Sequence, residues 1–132
     1  MGIDVKASGY GEITFSMGYG IYRDFIILLI KSLYDEEFAE RYSRVQFFVP
    51  ARSVLGEPHS AAQADLIMLI ESRSNFVFKH ELCARLCDMF KKTRGAFEEN
   101  VKGDVGWMRV YDYFVVATQM GSEGEDSYMK FS

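Results

Sequence analysis

Residues 3–17, IDVKASGYGEITFSM, decide the start of the fold. Apolar and polar side chains alternate on both sides of Gly9-Tyr10-Gly11, which is typical of two half-buried strands joined by a tight turn. The next stretch, residues 18–34, reads GYGIYRDFIILLIKSLY and has one narrow polar stripe. A helix of that kind is covered on most sides. We therefore predict an N-terminal β-hairpin and a central helix over 21–34, with a buried strand over 25–30 as the alternative.

Two further helices are predicted in the middle of the chain. Asp35-Glu36-Glu37 begins one of them, because acidic side chains suit a first turn. Residues 47–50 then read as extended chain before a proline, and residues 50–59, which hold both prolines, read as the longest loop. Ser60 to Gln63 forms a capping box, with Gln63 bonding back to the N–H of Ser60, and a helix through residue 70 follows.

The last two helices and a closing strand complete the prediction. One helix runs from Glu81 to Arg94, where Gly95 can end it, and another runs over 104–120 with Asp104 as its N-cap. The second of these has few polar side chains, so we expect it to be largely buried. Tyr128 to Phe131 alternates again and predicts a strand that joins the hairpin. The expected fold is α+β: a small antiparallel sheet packed on four to five helices.

Length and composition restrict the class of protein. The chain has 132 residues, which fits a single domain over 1–132. It is 48% hydrophobic with a net charge of −4 and two cysteines, so neither disorder nor a disulfide scaffold is expected. The start carries no secretory signal pattern, and no apolar run approaches the about 20 residues of a membrane span. We expect a cytoplasmic protein that does not bind a membrane, and the pI of 5.2 does not favour nucleic-acid binding.

One helix face carries the most concentrated reactive side chains. His80, Cys83 and Cys87 lie at positions i, i+3 and i+7, so they share a face that could hold zinc, with His59 as a fourth ligand. Cys83 and His80 could instead act as nucleophile and base. The favoured interpretation is core packing, because cysteine behaves as a small apolar side chain and no second ligand hook is present. No metal and no cofactor are therefore expected.

A glycine-flanked corner and a basic segment are the other candidates. Gly18-Tyr19-Gly20, with Arg23 one turn later, resembles a phosphate cradle, but a strand-to-helix turn explains it better because the full glycine fingerprint is missing. Residues 73–94 are rich in Lys and Arg, and a solvated helix face is the favoured interpretation. The paired carboxylates, such as Glu98-Glu99, are interpreted as solvated. Nothing here predicts an enzyme.

The aromatic content is the strongest hint of function. The chain has eleven Phe, eight Tyr and one Trp, which is more than one small core should need. Tyrosine is enriched at protein interfaces because it buries a large area at a small entropic cost. We predict an at least partly exposed tyrosine-rich corner around residues 10–23. The predicted partner-binding residues are Tyr10, Tyr19, Tyr22, Arg23 and Tyr42.

The order of motifs resembles small uncharacterised bacterial and phage proteins that open Met-Gly-(Ile/Leu)-Asp. The resemblance rests on Met1 to Val5, on Glu36-Glu37-Phe38, on Glu81-Leu82-Cys83 and on the closing strand, whereas residues 72–75 depart from the family's Ser-Asp-Cys-like turn. It implies no assigned activity. Small acidic α+β proteins of this type are similar to immunity proteins and antitoxins.

Three hypotheses follow from the sequence. The first is a non-catalytic protein-binding module, either an immunity protein, an antitoxin or a phage-encoded inhibitor, that occludes a toxin or a host-defence enzyme. The second is a small enzyme or a ligand- or metal-binding protein that uses the Gly18–Arg23 corner or the His80/Cys83/Cys87 face. The third is a homodimer whose aromatic side chains cover its own interface.

Overall fold

A four-stranded antiparallel sheet forms one side of the computed structural model, which describes residues 2–45, 50–72 and 76–132. The described strands, in the spatial order β2-β1-β4-β3, are β1 (Gly2–Ser8), β2 (Glu12–Gly18), β3 (Val77–Lys79) and β4 (Tyr128–Phe131). The predicted hairpin is confirmed, and β4 joins it by pairing with β1. The prediction missed β3, because three residues are too few to show an alternation.

Six helices are described beside this sheet, so the predicted α+β class is confirmed. They are α1 (Tyr19–Leu33), α2 (Glu36–Ser43), α3 (Ala51–Leu55), α4 (Ala61–Glu71), α5 (His80–Asn100) and α6 (Val105–Gly121). The apolar run 25–30 lies inside α1, which decides against the strand alternative. Within the described ranges, no helix combines the length and the hydropathy that a bilayer span requires.

Three helices begin at a side-chain cap, and the sequence predicts two of these caps, Ser60 and Asp104; Asp35 was expected inside the first turn. The side chain of Asp35 accepts a hydrogen bond from the N–H of Phe38 at 2.8 Å, and Asp104 does the same for Trp107 at 2.9 Å. Ser60 caps α4 by accepting from the N–H of Gln63. The return bond differs from the prediction, because the amide oxygen of Gln63 accepts from the N–H of His59 and not from that of Ser60.

Two predicted boundaries are wrong. Helix α5 continues through Gly95 to Asn100, because Phe97 on the next turn is fully buried, and that burial outweighs the about 1 kcal/mol that a glycine costs inside a helix. Residues 50–59 are not a plain loop, since they contain the short helix α3. The predicted extended segment 47–49 lies outside the described residues.

Stacked aromatic rings form the centre of the core. The ring of Phe25 on α1 lies parallel to that of Phe114 on α6, with centroids 4.9 Å apart, and Phe90 on α5 stacks against Phe114 at 5.7 Å. Tyr111 fills the same core and donates its hydroxyl hydrogen to the carbonyl oxygen of Phe90. Much of the high aromatic content is therefore structural.

The sheet covers this core with one face only. Ile3, Val5 and Ala7 are buried against the helices, whereas Asp4 and Lys6 between them are exposed. The outer face is polar: the hydroxyl of Ser16 donates to Asp4, and the Lys6 ammonium lies 3.3 Å from the carboxylate of Glu12. Helices α1 and α6 each contact both the sheet and α5.

Candidate functional site

The predicted tyrosine-rich corner is only partly exposed. Tyr10, at the tip of the β-hairpin, is 87% exposed, and Tyr19 is half-buried against the core. Tyr22 and Tyr42 are 6% and 8% exposed, so the expectation that they are available to a partner is wrong. The ring of Tyr22 packs edge-on against Phe131, and burial raises the pKa of its hydroxyl above the usual value. Of the two, neither offers a contact surface in this conformation.

Arg23 serves the fold rather than an exposed corner. Its guanidinium donates to the carbonyl oxygens of Ser43 and Val45, at 2.9 and 2.8 Å, where α2 ends. It also lies 5.8 Å from the centre of the Tyr42 ring. Carbonyl groups at the end of a helix need such donors. The same contacts weaken the phosphate-cradle alternative at Gly18–Arg23, because the cation that would meet a phosphate is engaged by backbone oxygens.

The His80, Cys83 and Cys87 face is mostly buried. The thiol of Cys83 is inaccessible and donates to the carbonyl oxygen of Phe78 at 3.3 Å. Burial raises the pKa of this thiol to about 11, so it stays protonated near neutral pH and is a poor nucleophile. Among the residues that the structure describes, no three His, Cys, Asp or Glu side chains are arranged to hold a metal ion. Both cysteines pack as the core interpretation expects.

Ion pairs balance the charge of two arginines in the basic segment 73–94. Arg85 on α5 donates to the buried carboxylate of Asp65 on α4, and Arg94 holds Asp112 on α6 through two hydrogen bonds of 3.0 and 3.1 Å. Arg73 lies outside the described residues. Arg85 and Arg94 therefore tie α5 to its neighbours, and each is paired with a carboxylate.

A row of exposed side chains on α6 is the feature that the sequence analysis missed. Val105, Tyr113 and Val116 are 71%, 42% and 44% exposed, and Arg109 lies between them. Their spacing of four, four and three residues places all four on one helix face. We call this set the α6 stripe. It lines a shallow open depression of about 450 Å³ together with Gly103, Met108 and Asp112. Helix α6 was expected to be largely buried, so this is a correction.

The rest of α6 holds the α6 stripe in place. The opposite face is buried in the core through Tyr111, Phe114 and Ala117. Arg94 fixes α6 from the side through its paired hydrogen bonds to Asp112. The ring of Tyr113 stacks on that of Phe15 from β2, with centroids 5.3 Å apart. The α6 stripe is thus an apolar surface on a rigid element, next to a strand.

Comparison with known proteins does not add a further clue. A scan of protein-family models, a search of curated proteins and a search of solved structures find no significant match to the chain. The α6 stripe and its surroundings are therefore the features of this chain that bear on its function. Exposed apolar side chains that share one face and surround a charged group are typical of surfaces that another protein covers.

Proposed function

We propose that the protein is a non-catalytic protein-binding module whose docking surface is the α6 stripe. The observation that supports this is the exposure of Val105, Tyr113 and Val116 on one face of a helix whose other face is firmly packed. Burying such apolar area against a partner is favourable by about 25 cal/mol per Å² before the costs of association. Tyr113 is the natural anchor, since large aromatic side chains contribute most at interface centres.

The shape of the depression favours a protein as the ligand. Small-molecule sites are concave and bury about 70–90% of their ligand. The depression beside the α6 stripe is open, and one helix with the residues before it supplies all of its described lining. A small molecule there would stay largely in water. A broad surface of a partner protein can cover the same residues.

The charge at the centre of the α6 stripe indicates what the partner carries. Arg109 is exposed, and no ion pair within the described ranges involves it. The neighbouring carboxylate of Asp112 is already held by Arg94. A cation surrounded by apolar side chains is stabilised on desolvation only if the partner supplies an acceptor. The partner surface is therefore apolar, with a carboxylate or carbonyl group that meets Arg109.

Occlusion is the mode of action that fits a rigid binding surface. The module acts as an inhibitor, in the manner of an immunity protein, an antitoxin or a phage-encoded anti-defence protein, by covering a toxin or a host-defence enzyme. The formal charge of −4 favours the approach of a partner with positive net charge. Rigid surfaces also lose little conformational entropy on binding, which favours affinity.

Matched charge substitutions test this proposal. Val105→Asp and Val116→Asp place a carboxylate on the α6 stripe, and Ala84→Asp places one on the exposed face of α5 as a control. In calorimetric titration, wild type and Ala84→Asp should bind the partner with equal affinity. The affinity of each stripe variant should be at least tenfold lower, which is about 1.4 kcal/mol of binding free energy. Equal binding by all four proteins would contradict the proposal. Circular dichroism confirms that the variants fold.

A further inference from the structure

The strand β2 has no other strand beside its outer edge among the residues that the structure describes. Of the described strands, β2 and β3 lie at the two edges of the sheet, and β3 has only three residues. Strand β2 has seven residues, each opposite one residue of β1 from Glu12 to Gly18, with no bulge in the register. A long regular edge strand offers a row of backbone donors and acceptors to any strand that can lie beside it.

The hydrogen bonds of β1 show which groups of β2 point outward. Asp4 and Ser132 exchange both of their backbone hydrogen bonds, at 2.8 and 2.9 Å. Even-numbered residues of β1 therefore bond towards β4, and odd-numbered residues such as Val5 bond towards β2. Val5 lies opposite Phe15. It follows that residues 13, 15 and 17 bond to β1, and that Thr14 and Ser16 turn their N–H and C=O groups to the outer edge.

Within the described residues, the charge of Glu12 at the first position is the only feature of β2 that opposes pairing at this edge. Natural edge strands carry lysine, proline or a bulge that prevents pairing with another chain. Residues 13–17 are ITFSM, with no charge and no proline. The side chains of Ile13, Phe15 and Met17 are half-buried on the core side of the sheet. From Ile13 to Met17 the edge of β2 is thus neutral and regular, and apolar on one face.

We propose that β2 pairs antiparallel with β2 of a second copy of the chain, with Phe15 opposite Phe15 of that copy. Thr14 then lies opposite Ser16 of the second copy, and these residues exchange the outward-facing backbone hydrogen bonds. Ile13 lies opposite Met17 of the second copy, on the core side. Glu12 lies opposite a glycine, so no like charges meet. The two sheets join into one sheet of eight strands around a twofold axis.

This register follows from the sequence of β2. A shift by one residue would place polar side chains on the core side, which the alternation forbids. A shift by two residues would pair part of β2 with the turn at Gly11 or with the start of α1, and would lose strand pairs. The register centred on Phe15 is the one that uses all seven residues.

The α6 stripe supports the same interface. Tyr113 stacks on Phe15, so the two copies of Tyr113 lie close to the twofold axis and bury their exposed faces. Val105 lies eight residues away along α6, roughly 12 Å along the helix axis, and stays outside the strand pairing. The dimer does not rest on the proposed function. Because the dimer covers Tyr113, a partner that uses Tyr113 as its anchor binds the monomer, and the Val105 end of the α6 stripe stays open in both forms.

Molar mass and cysteine pairing test the dimer. Light scattering of the full chain at rising concentration should approach twice the 15.2 kDa mass of one chain. Thr14→Lys and Ser16→Lys should each shift the protein to monomer, and the matched control Ser132→Lys, one residue after β4, should not. A monomer at all concentrations, or a dimer that both strand variants leave intact, would overturn the inference.

Disulfide coupling tests the register of the strand pair directly. It also tests the dimer if the lysine variants fail to fold. Under mild oxidation, a Thr14→Cys chain should form a disulfide with a Ser16→Cys chain, because directly opposed residues have Cα atoms about 5.5 Å apart. Thr14→Cys chains should not couple with each other, since the two positions are offset by two residues. Self-coupling as fast as mixed coupling would overturn the register. Partner binding by a monomeric Thr14→Lys variant would leave the proposed function standing while the dimer fails.

Discussion

Replacing Gly121 with alanine should loosen the contact that holds the end of α6 against α5 and β4. A Cβ atom at this position would lie 2.7 Å from the sulfur of Cys83 and 3.1 Å from the carbonyl carbon of Tyr128. Favourable contacts between carbon atoms begin at ~3.5 Å, and sulfur is larger than carbon, so the first of these falls short by at least about 0.8 Å. Overpacking of this kind costs about 1–3 kcal/mol, and the higher helix propensity of alanine returns at most about 1 kcal/mol.

The expected net loss for Gly121→Ala is therefore about 1–2 kcal/mol of unfolding free energy, measured by urea denaturation followed by circular dichroism. Gly95→Ala is the matched control, because its Cβ would meet nothing within 4 Å inside α5, and it should stabilise by about 0.5–1 kcal/mol. Adding Cys83→Ala to Gly121→Ala removes the sulfur. The loss in the double variant should then be smaller than the sum of the two single-variant losses, by about 0.5 kcal/mol or more.

Two results would refute this reasoning about Gly121. One is a stabilisation equal to that of Gly95→Ala, which would mean that α6 does not approach Cys83 as closely as the structure has it. The other is strict additivity with Cys83→Ala, which would mean that the sulfur is not the atom in the way.

Three further predictions concern the parts that position α6 and α5. Arg85→Ala leaves the buried carboxylate of Asp65 without its partner, and should cost about 1–3 kcal/mol in thermal unfolding, whereas Arg44→Ala, which breaks an exposed pair, should cost well under about 1 kcal/mol. Asp104→Ala removes the N-cap of α6 and should lower the unfolding free energy by about 1 kcal/mol in urea denaturation. No change in that free energy would contradict the prediction. In the unfolded chain the Cys83 thiol ionises at its ordinary pKa of 9.0, and in the folded protein its pKa is about 11. The unfolding free energy therefore falls as pH rises between these two values, by at most about 1.4 kcal/mol per pH unit. The Cys83→Ala variant should lack this part of the decline, and a pH profile identical to that of the wild type would contradict the prediction.

The sequence was most informative where structure depends on neighbours in the chain. The hairpin follows from the alternation around Gly9 to Gly11, and the caps at Ser60 and Asp104 follow from side chains that reach a backbone N–H within three residues. These interactions are local, so one sequence is enough to find them. The closing strand β4 was found for the same reason, because its alternation is clear over four residues.

The sequence was least informative where distant elements decide the outcome. Gly95 indicated a helix end, but the buried ring of Phe97 carries α5 onward. Tyr22 and Tyr42 have the same hydroxyl group as Tyr10, so residue type does not separate them. Only the fold shows that Tyr22 packs against Phe131 and that Tyr42 lies beneath Arg23.

The sequence did not predict the α6 stripe, because a buried valine and an exposed valine cannot be told apart by residue type. Val105 and Val116 read as core residues, since apolar side chains occur on both faces of α6. Their common spacing with Arg109 and Tyr113 was visible in the sequence, and a helix with two apolar faces is the pattern that could have revealed it.

The most direct test of the central claim is site-specific photocrosslinking in the cells that encode the protein. A photoreactive phenylalanine analogue at position 105 lies on the α6 stripe, away from the proposed dimer axis, and the same group at position 84 lies on the exposed face of α5. The α6 stripe as a docking surface predicts one discrete adduct with another protein from position 105 and none from position 84. The absence of an adduct at 105, or the same adducts from both positions, would contradict it.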